Sequence, residues 1–192
     1  MIVGISGYAQ TGKDTVSNIL VQEHGFTKIA WADKVRECAL AVDPYIEVDE
    51  EWLPLDSEDT YYPAVHVRLS KLVSQDGWEQ TKLKYPDCRR LLQRIGTEMG
   101  RNIIDPDLWV NLGMINAAPN TVFSDCRFLN EAKAIKNSGG IMLRIRRPGY
   151  KPVNNHISEV GLDGFSFDDF IDNDGTIEDL KYKVRCILRL QT

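Results

Sequence analysis

No run in the 192-residue sequence approaches the ~20 consecutive apolar residues that a membrane-crossing helix needs, so no contact with a membrane is expected. The four cysteines, Cys38, Cys88, Cys126 and Cys186, form no CxxC pair. Zinc-type spacing is therefore absent, and cysteines so few and scattered read as reduced thiols of a cytoplasmic protein rather than a disulfide framework. Positive charge is in deficit: 23 Lys plus Arg stand against 28 Asp plus Glu, a formal net charge of −5. That argues against a coat for polymeric nucleic acid, which needs a basic face to displace counterions. A small anionic ligand stays compatible, because a basic pocket can sit inside an acidic shell. The opening Met1–Gly7 lacks the basic start and long apolar region of a secretion signal. Internal repeats and low-complexity linkers are missing too.

What remains is a composition close to the globular average, 43% hydrophobic and 27% charged. The length suits one domain, and such a chain buries roughly 70% of its unfolded surface without help from metals or disulfides. Residues 1–6 read as a strand. Val16, Ile19 and Leu20 at helical spacing predict a helix from Lys13 to about His24, stopped by Gly25. Residues 26–30 read as a second strand, and a helix carrying Val35, Leu40 and Val42 is expected from near Asp33. This β-α-β-α order predicts an α/β fold with a parallel sheet and helices on both faces. Residues 43–63, with Pro44, Pro54 and two acidic clusters, read as an irregular surface excursion, and residues 64–75 and 86–101 as helices. Asp105-Pro106-Asp107 is a helix start. Strands are expected at 121–125, 141–145 and around Phe170-Ile171, with a helix to Asn137 and a closing helix from Thr176 to about Leu190.

The sharpest motif is Gly7-Tyr8-Ala9-Gln10-Thr11-Gly12-Lys13-Asp14-Thr15, placed between a predicted strand and a predicted helix. Glycines let successive backbone N–H groups face one anion, the helix N-terminus adds partial positive charge, and Lys13 would reach the outer phosphates of a nucleotide. Gly7, Ala9, Gln10, Thr11, Gly12, Lys13, Asp14 and Thr15 are thus the candidate phosphate-binding residues. Ser or Thr usually follows the lysine and holds magnesium; here that position is Asp14, with Thr15 one place later. Asp14 either holds the metal, directly or through water, or caps the helix.

A second motif is Ser124-Asp125-Cys126-Arg127-Phe128-Leu129-Asn130-Glu131. An aspartate at the end of an apolar strand suits a magnesium-organising role, and Arg127 and Glu131 would stand together at the sheet mouth. The alternative is a capping aspartate beside an exposed Arg127–Glu131 ion pair.

Together with Ala32-Asp33-Lys34, Gln93-Arg94-Ile95-Gly96-Thr97-Glu98, Asp105 to Val110 and His156-Ile157-Ser158-Glu159, these blocks resemble the bacteriophage deoxynucleoside monophosphate kinases. The resemblance implies a three-layer P-loop NTPase fold with a helical acceptor-binding insertion, 43–105, and a lid-like segment, 146–160, in one domain. It implies transfer of the ATP γ-phosphate to a deoxynucleoside 5′-monophosphate with Mg2+, in the host cytoplasm if the chain is phage-encoded. On that basis Lys13, Asp125, Arg127 and Glu131 are the catalytic candidates, and Asp14, Thr15 and Asp125 the metal candidates. Asp33, Lys34, Arg89, Arg90, Trp109 and Arg127 are the acceptor-binding candidates; guanidinium forks match phosphate oxygens. Arg89 and Arg90 are adjacent, so they point about 100° apart on a helix. Trp109 is either a stacking surface or plain core, and Asp33 either an acceptor ligand or a cap. Arg146 and Arg147 are the lid candidates. Asn173 and Gly175 resemble a loop that contacts adenine, with a turn and helix cap as the alternative. His156 and Glu159 match the family without a derivable role. A kinase for another small acceptor, such as dephospho-coenzyme A, or a slow ATP-hydrolysing module remain the rival readings. Association into a homodimer is compatible with the pattern.

Overall fold

The computed structural model describes residues 1–48, 65–151 and 160–190. The chain divides into two compact units, one of Met1–Trp31 with Val110–Thr192 and one of Ala32–Trp109. The second unit takes in the helix from Asp33 as well as the expected insertion from residue 43.

In the first unit β1 (Ile2–Ser6) is the middle strand of a five-stranded sheet. Beside it lie β5 (Thr121–Phe123) and β6 (Ile141–Arg146); β2 (Thr27–Ile29) and β7 (Asp169–Asp172) form the edges. Every pairing is parallel. Parallel strands buried on both faces need nearly continuous apolar sequence, and Val3, Ile5, Val122, Phe123, Met142, Leu143 and Ile145 are all essentially inaccessible. Alternation sorts them onto two faces. Val3, Ile5, Val122, Leu143 and Ile145 pack with Val16, Ile19 and Leu20 of α1 (Lys13–His24) and with the closing helix Ile177–Leu188. Phe123 and Met142 pack with Val110 of α5 (Leu108–Ile115) and Ala132 and Ile135 of α6 (Leu129–Asn137). This three-layer arrangement, with the glycine-rich loop joining the central strand to α1, is the α/β P-loop NTPase fold. Among the described residues no helix is long and apolar enough to cross a membrane.

In the second unit α2 (Asp33–Val42) leads into an antiparallel hairpin of β3 (Tyr45–Val48) and β4 (Val65–Arg68). The excursion expected at 43–63 therefore begins as a strand, with Ile46 and Val48 buried and Tyr45 and Glu47 exposed. That period-two pattern is present in the sequence, but Pro44 and the acidic flank obscure it. Residues 65–68 likewise are strand, and the helix expected from 64 starts at Leu69. This helix, α3 (Leu69–Lys84), kinks at Gly77, whose φ of 72° lies outside the helical region. The helix expected over 86–101 is divided: α4 (Pro86–Gln93) passes into a π-helix, Arg94–Ile104. Gly96 and Gly100 explain what that segment packs against. The indole of Trp109 lies on Gly100 so closely that a Cβ there would stand 2.6 Å from Cε2 and 2.7 Å from Nε1.

Asp168 ties β6 to α6: Oδ2 accepts the Met142 N–H at 2.7 Å and Oδ1 pairs with Lys136. Partial burial alone would raise its pKa, but Lys136 and the Met142 N–H outweigh it and hold the carboxyl below its ordinary 3.8. A carboxyl with a depressed folded-state pKa contributes stability above its unfolded pKa and loses it as pH falls through the folded value. Asp168→Asn should therefore be less stable than the parent in urea unfolding at pH 7. The difference should shrink below about pH 4 and vanish once the parent's carboxyl is protonated.

Candidate active site

The loop between β1 and α1 curls through three positive φ angles: 147° at Gly7, 62° at Gln10 and 104° at Gly12. A Cβ at Gly7 would lie 2.5 Å from the Ile145 carbonyl oxygen, and one at Gly12 would lie 2.5 Å from Asn173 Nδ2. Both positions thus need glycine on conformational and steric grounds. Inside the curl the carbonyl of Tyr8 accepts from Lys13 Nζ at 2.7 Å and from Thr11 Oγ1 at 2.9 Å, while Lys13 Nζ also donates to Gly7 O at 2.8 Å. The ammonium is thus folded back over the loop. Gly12 occupies the cap position of α1 and offers no side-chain hydrogen bond to its first turn. Uncapped N–H groups, a helix dipole and a lysine at one point form an anion-binding arrangement.

The loop is held from outside on two sides. Asn173, just after β7, donates from Nδ2 to Thr11 O at 2.9 Å. Tyr8 Oη donates to Asp163 Oδ2 at 3.0 Å, and Arg144 donates to Asp163 Oδ1 at 2.6 Å. Partial burial and the bond to Asp163 raise the Tyr8 pKa, so the phenol stays a donor at neutral pH.

Asp125 follows β5, and the backbone fixes it from both sides. Ser124 N bonds Ile29 O at the end of β2, and Cys126 N bonds Ile5 O near the end of β1. Its Oδ1 accepts the Trp31 N–H at 3.3 Å. Asp125 is therefore carried at the same end of the sheet as the glycine-rich loop. Cys126 is wholly buried, and burial pushes its thiol pKa well up, leaving an inert neutral thiol. Among the described residues no three His, Cys, Asp or Glu side chains converge on a metal position. Oxygen donors such as Thr15 and Asp125 suit Mg2+, which commonly binds one or two carboxylates together with substrate phosphates.

Within the second unit, Arg89 and Arg90 diverge as their spacing requires. Arg90 pairs with Asp87, whereas Arg89 is exposed and has no ion-pair partner among the described residues. Lys34 pairs with Glu37 at 2.6 Å, and Asp33 accepts from Arg36 at 3.4 Å.

A family model described as deoxynucleotide monophosphate kinase matches residues 55–184. The chain belongs to this family. The matched segment begins after the glycine-rich loop, so the loop's role rests on its own geometry. A relative from Acanthamoeba polyphaga mimivirus, provisionally named as a deoxynucleotide monophosphate kinase, is 29% identical over 93% of this chain and 91% of its own length. The deoxynucleotide monophosphate kinase of Escherichia phage RB69 is 32% identical over 53% of this chain, an alignment that spans 44% of that relative. Among solved structures, the dephospho-CoA kinase of Campylobacter jejuni superposes with a TM-score of 0.46 at 15% identity, over 98% of this chain and 95% of that one. A likeness that weak has no bearing on the acceptor.

Several residues expected at the site have other work. Glu131 is 2% exposed, and its Oε2 accepts the backbone N–H groups of Arg127 and Phe128 at 2.7 and 3.0 Å. It caps α6 and shapes the turn that carries Arg127, the structural role that its position in the first helical turn favours, since an acidic side chain there meets the orphan N–H groups. Trp109 is 3% exposed, donates from Nε1 to Gly96 O at 2.7 Å and lies on Gly100, so it is core instead of a stacking surface. Arg146 is engaged by both oxygens of Asp172, at 2.7 and 2.8 Å, because the β6–β7 register sets the two residues side by side. Arg147 keeps its place near the loop, with a 3.5 Å bond to Gln10 O. Asp14 is exposed and pairs with Lys28 at 2.9 Å, and Thr11 is turned inward at 1% exposure. Asn173 braces the loop by its side chain, and Gly175 adjoins the Thr176–Asp179 cap of the closing helix. His156 and Glu159, with most of the expected lid, lie outside the described residues. Tyr8 and Asp163 were not among the expected site residues; they are 155 positions apart, and no spacing rule links them.

Truncating a buried tryptophan costs about 3–5 kcal/mol and overpacking a tight contact about 1–3 kcal/mol. Trp109→Ala and Gly100→Ala should therefore both lower the urea midpoint of unfolding, with Trp109→Ala the worse. A purely acceptor-stacking tryptophan would leave that midpoint unchanged.

Proposed function

We propose that this chain transfers the γ-phosphate of ATP to the phosphate of deoxynucleoside 5′-monophosphates, giving the diphosphates and ADP. The observation that carries the reading is the Gly7–Thr15 loop. It joins the uncapped N-terminus of α1 to the folded-back Lys13 in a chain of the deoxynucleotide monophosphate kinase family. Phosphoryl transfer is driven by positioning and by positive charge around the migrating group, with little covalent chemistry from the protein.

The backbone N–H groups of the loop and of the first turn of α1 bind the ATP phosphates. Lys13 exchanges its bonds to Gly7 O and Tyr8 O for phosphate oxygens. Arg127 is the guanidinium group proposed for the acceptor phosphate and Arg147 the one proposed to approach over the loop; within the second unit, Arg89 is the arginine left available to bind an anion. Asp125 is the residue proposed to hold Mg2+, with Thr15, and with Asp14 once it is released from Lys28. Bound magnesium would neutralise charge on the phosphates of ATP. The four free cysteines fit a reducing, cytoplasmic setting.

A coupled assay with ATP and Mg2+ over a panel of deoxynucleoside and ribonucleoside monophosphates and dephospho-coenzyme A tests the reading. Turnover should be confined to nucleoside monophosphates, with the deoxy forms preferred. Phosphate release without any acceptor, or turnover of dephospho-coenzyme A alone, would reject it. Lys13→Ala should lower kcat by about 10²-fold or more while leaving the fold intact by circular dichroism.

A further inference from the structure

The phosphate loop is a strained segment. Three of its residues have positive φ, and one of them, Gln10, is not glycine. Such backbone persists only where its surroundings over-determine it. Its internal bonds converge on a single peptide unit: the Tyr8 carbonyl accepts from Lys13 Nζ at 2.7 Å, Thr11 Oγ1 at 2.9 Å and Thr11 N at 3.4 Å. The side chain of the same residue leads out of the loop into a closed set of contacts. Tyr8 Oη donates to one oxygen of Asp163 at 3.0 Å, and Arg144 donates to the other at 2.6 Å. The Arg144 guanidinium then lies over the Tyr8 ring at 4.7 Å and over Phe167 at 5.4 Å. Arg144 sits opposite Ser6 in the β1–β6 register, beside the last residue before the loop. Its side chain is only 10% exposed, so it cannot shed Asp163 without leaving a nearly buried cation unpaired.

We propose that Tyr8, Asp163 and Arg144 are positioning residues for ATP binding. They anchor the peptide unit on which the phosphate loop is built and so hold its N–H groups in the curl that receives the phosphates. This rests on the reading of Gly7–Thr15 as the ATP site, though not on the identity of the acceptor. The three groups act through the loop, so their loss should appear in ATP affinity and not in acceptor affinity.

Tyr8→Phe is the cleanest variant, because the ring stays over Arg144 and only the hydroxyl is lost. ATP affinity is measured by calorimetric titration without acceptor, alongside melting temperature and the KM for the preferred deoxynucleoside monophosphate. ATP binding should weaken about three- to tenfold, the worth of one hydrogen bond, with melting temperature and acceptor KM unchanged. Asp163→Asn should weaken it in the same direction, and the double variant should be no worse than Asp163→Asn, since the two share one network. If Asp163→Asn does not fold, Tyr8→Phe alone decides. Parent-like ATP affinity in Tyr8→Phe overturns the proposal. So does a loss matched by an equal rise in acceptor KM or by a fall in melting temperature, which marks general loosening. A parent chain that turns over no nucleoside monophosphate, yet shows the expected ATP pattern, upholds this inference and overturns the acceptor reading. A parent chain that binds no ATP overturns both.

Discussion

The convergence of donors on the Tyr8 carbonyl is the interaction on which the site depends. A backbone that passes through three positive φ angles in six residues has no regular hydrogen-bond ladder to hold it. Lys13 and Thr11 supply that ladder locally, and Asn173 and the Tyr8–Asp163–Arg144 contacts supply it from three other parts of the chain. The sheet makes this possible. With β1 in the middle and every neighbour parallel, the loop, Asp125, Arg144 and Asn173 all lie toward the carboxyl ends of the strands. Ligands of open α/β sheets bind at those ends for the same reason.

The acidic total supplies carboxylate partners for arginines in each unit. Near the strand ends of the first unit, Arg144 is neutralised by Asp163 and Arg146 by Asp172; within the second unit, Arg90 pairs with Asp87 and Arg36 with Asp33 and Glu79. Arg144 and Arg36, with side chains 10% and 27% exposed, need such partners to offset their desolvation. Arg89, exposed and unpaired among the described residues, therefore stands out more clearly in the structure than in the sequence, where it was indistinguishable from its neighbour.

The π-helical segment and Trp109 show how packing reassigns a residue that composition leaves ambiguous. A tryptophan beside apolar neighbours satisfies both a core and a stacking role. Gly100 decides the matter by letting the indole lie on helix backbone, and the Gly96 carbonyl satisfies its N–H. Glu131 is likewise committed, its carboxylate accepting the backbone N–H groups of Arg127 and Phe128 at the start of α6.

Local chemistry by itself determined the elements and the loop. Periodicity placed α1 at its observed bounds, apolar runs placed the five sheet strands, and the Gly7–Thr15 pattern between strand and helix identified the phosphate loop, because each of these depends on residues within a few positions of one another. The short β3–β4 hairpin was written in the same period-two alternation but hidden by prolines and acidic residues around it. Tertiary structure alone decided which charged side chains are free and which are committed. The pairings of Arg144 with Asp163, Arg146 with Asp172 and Tyr8 with Asp163 join residues 19, 26 and 155 positions apart. A charged side chain takes the nearest partner in space, and for these residues only the strand order and register of the folded sheet bring that partner within reach.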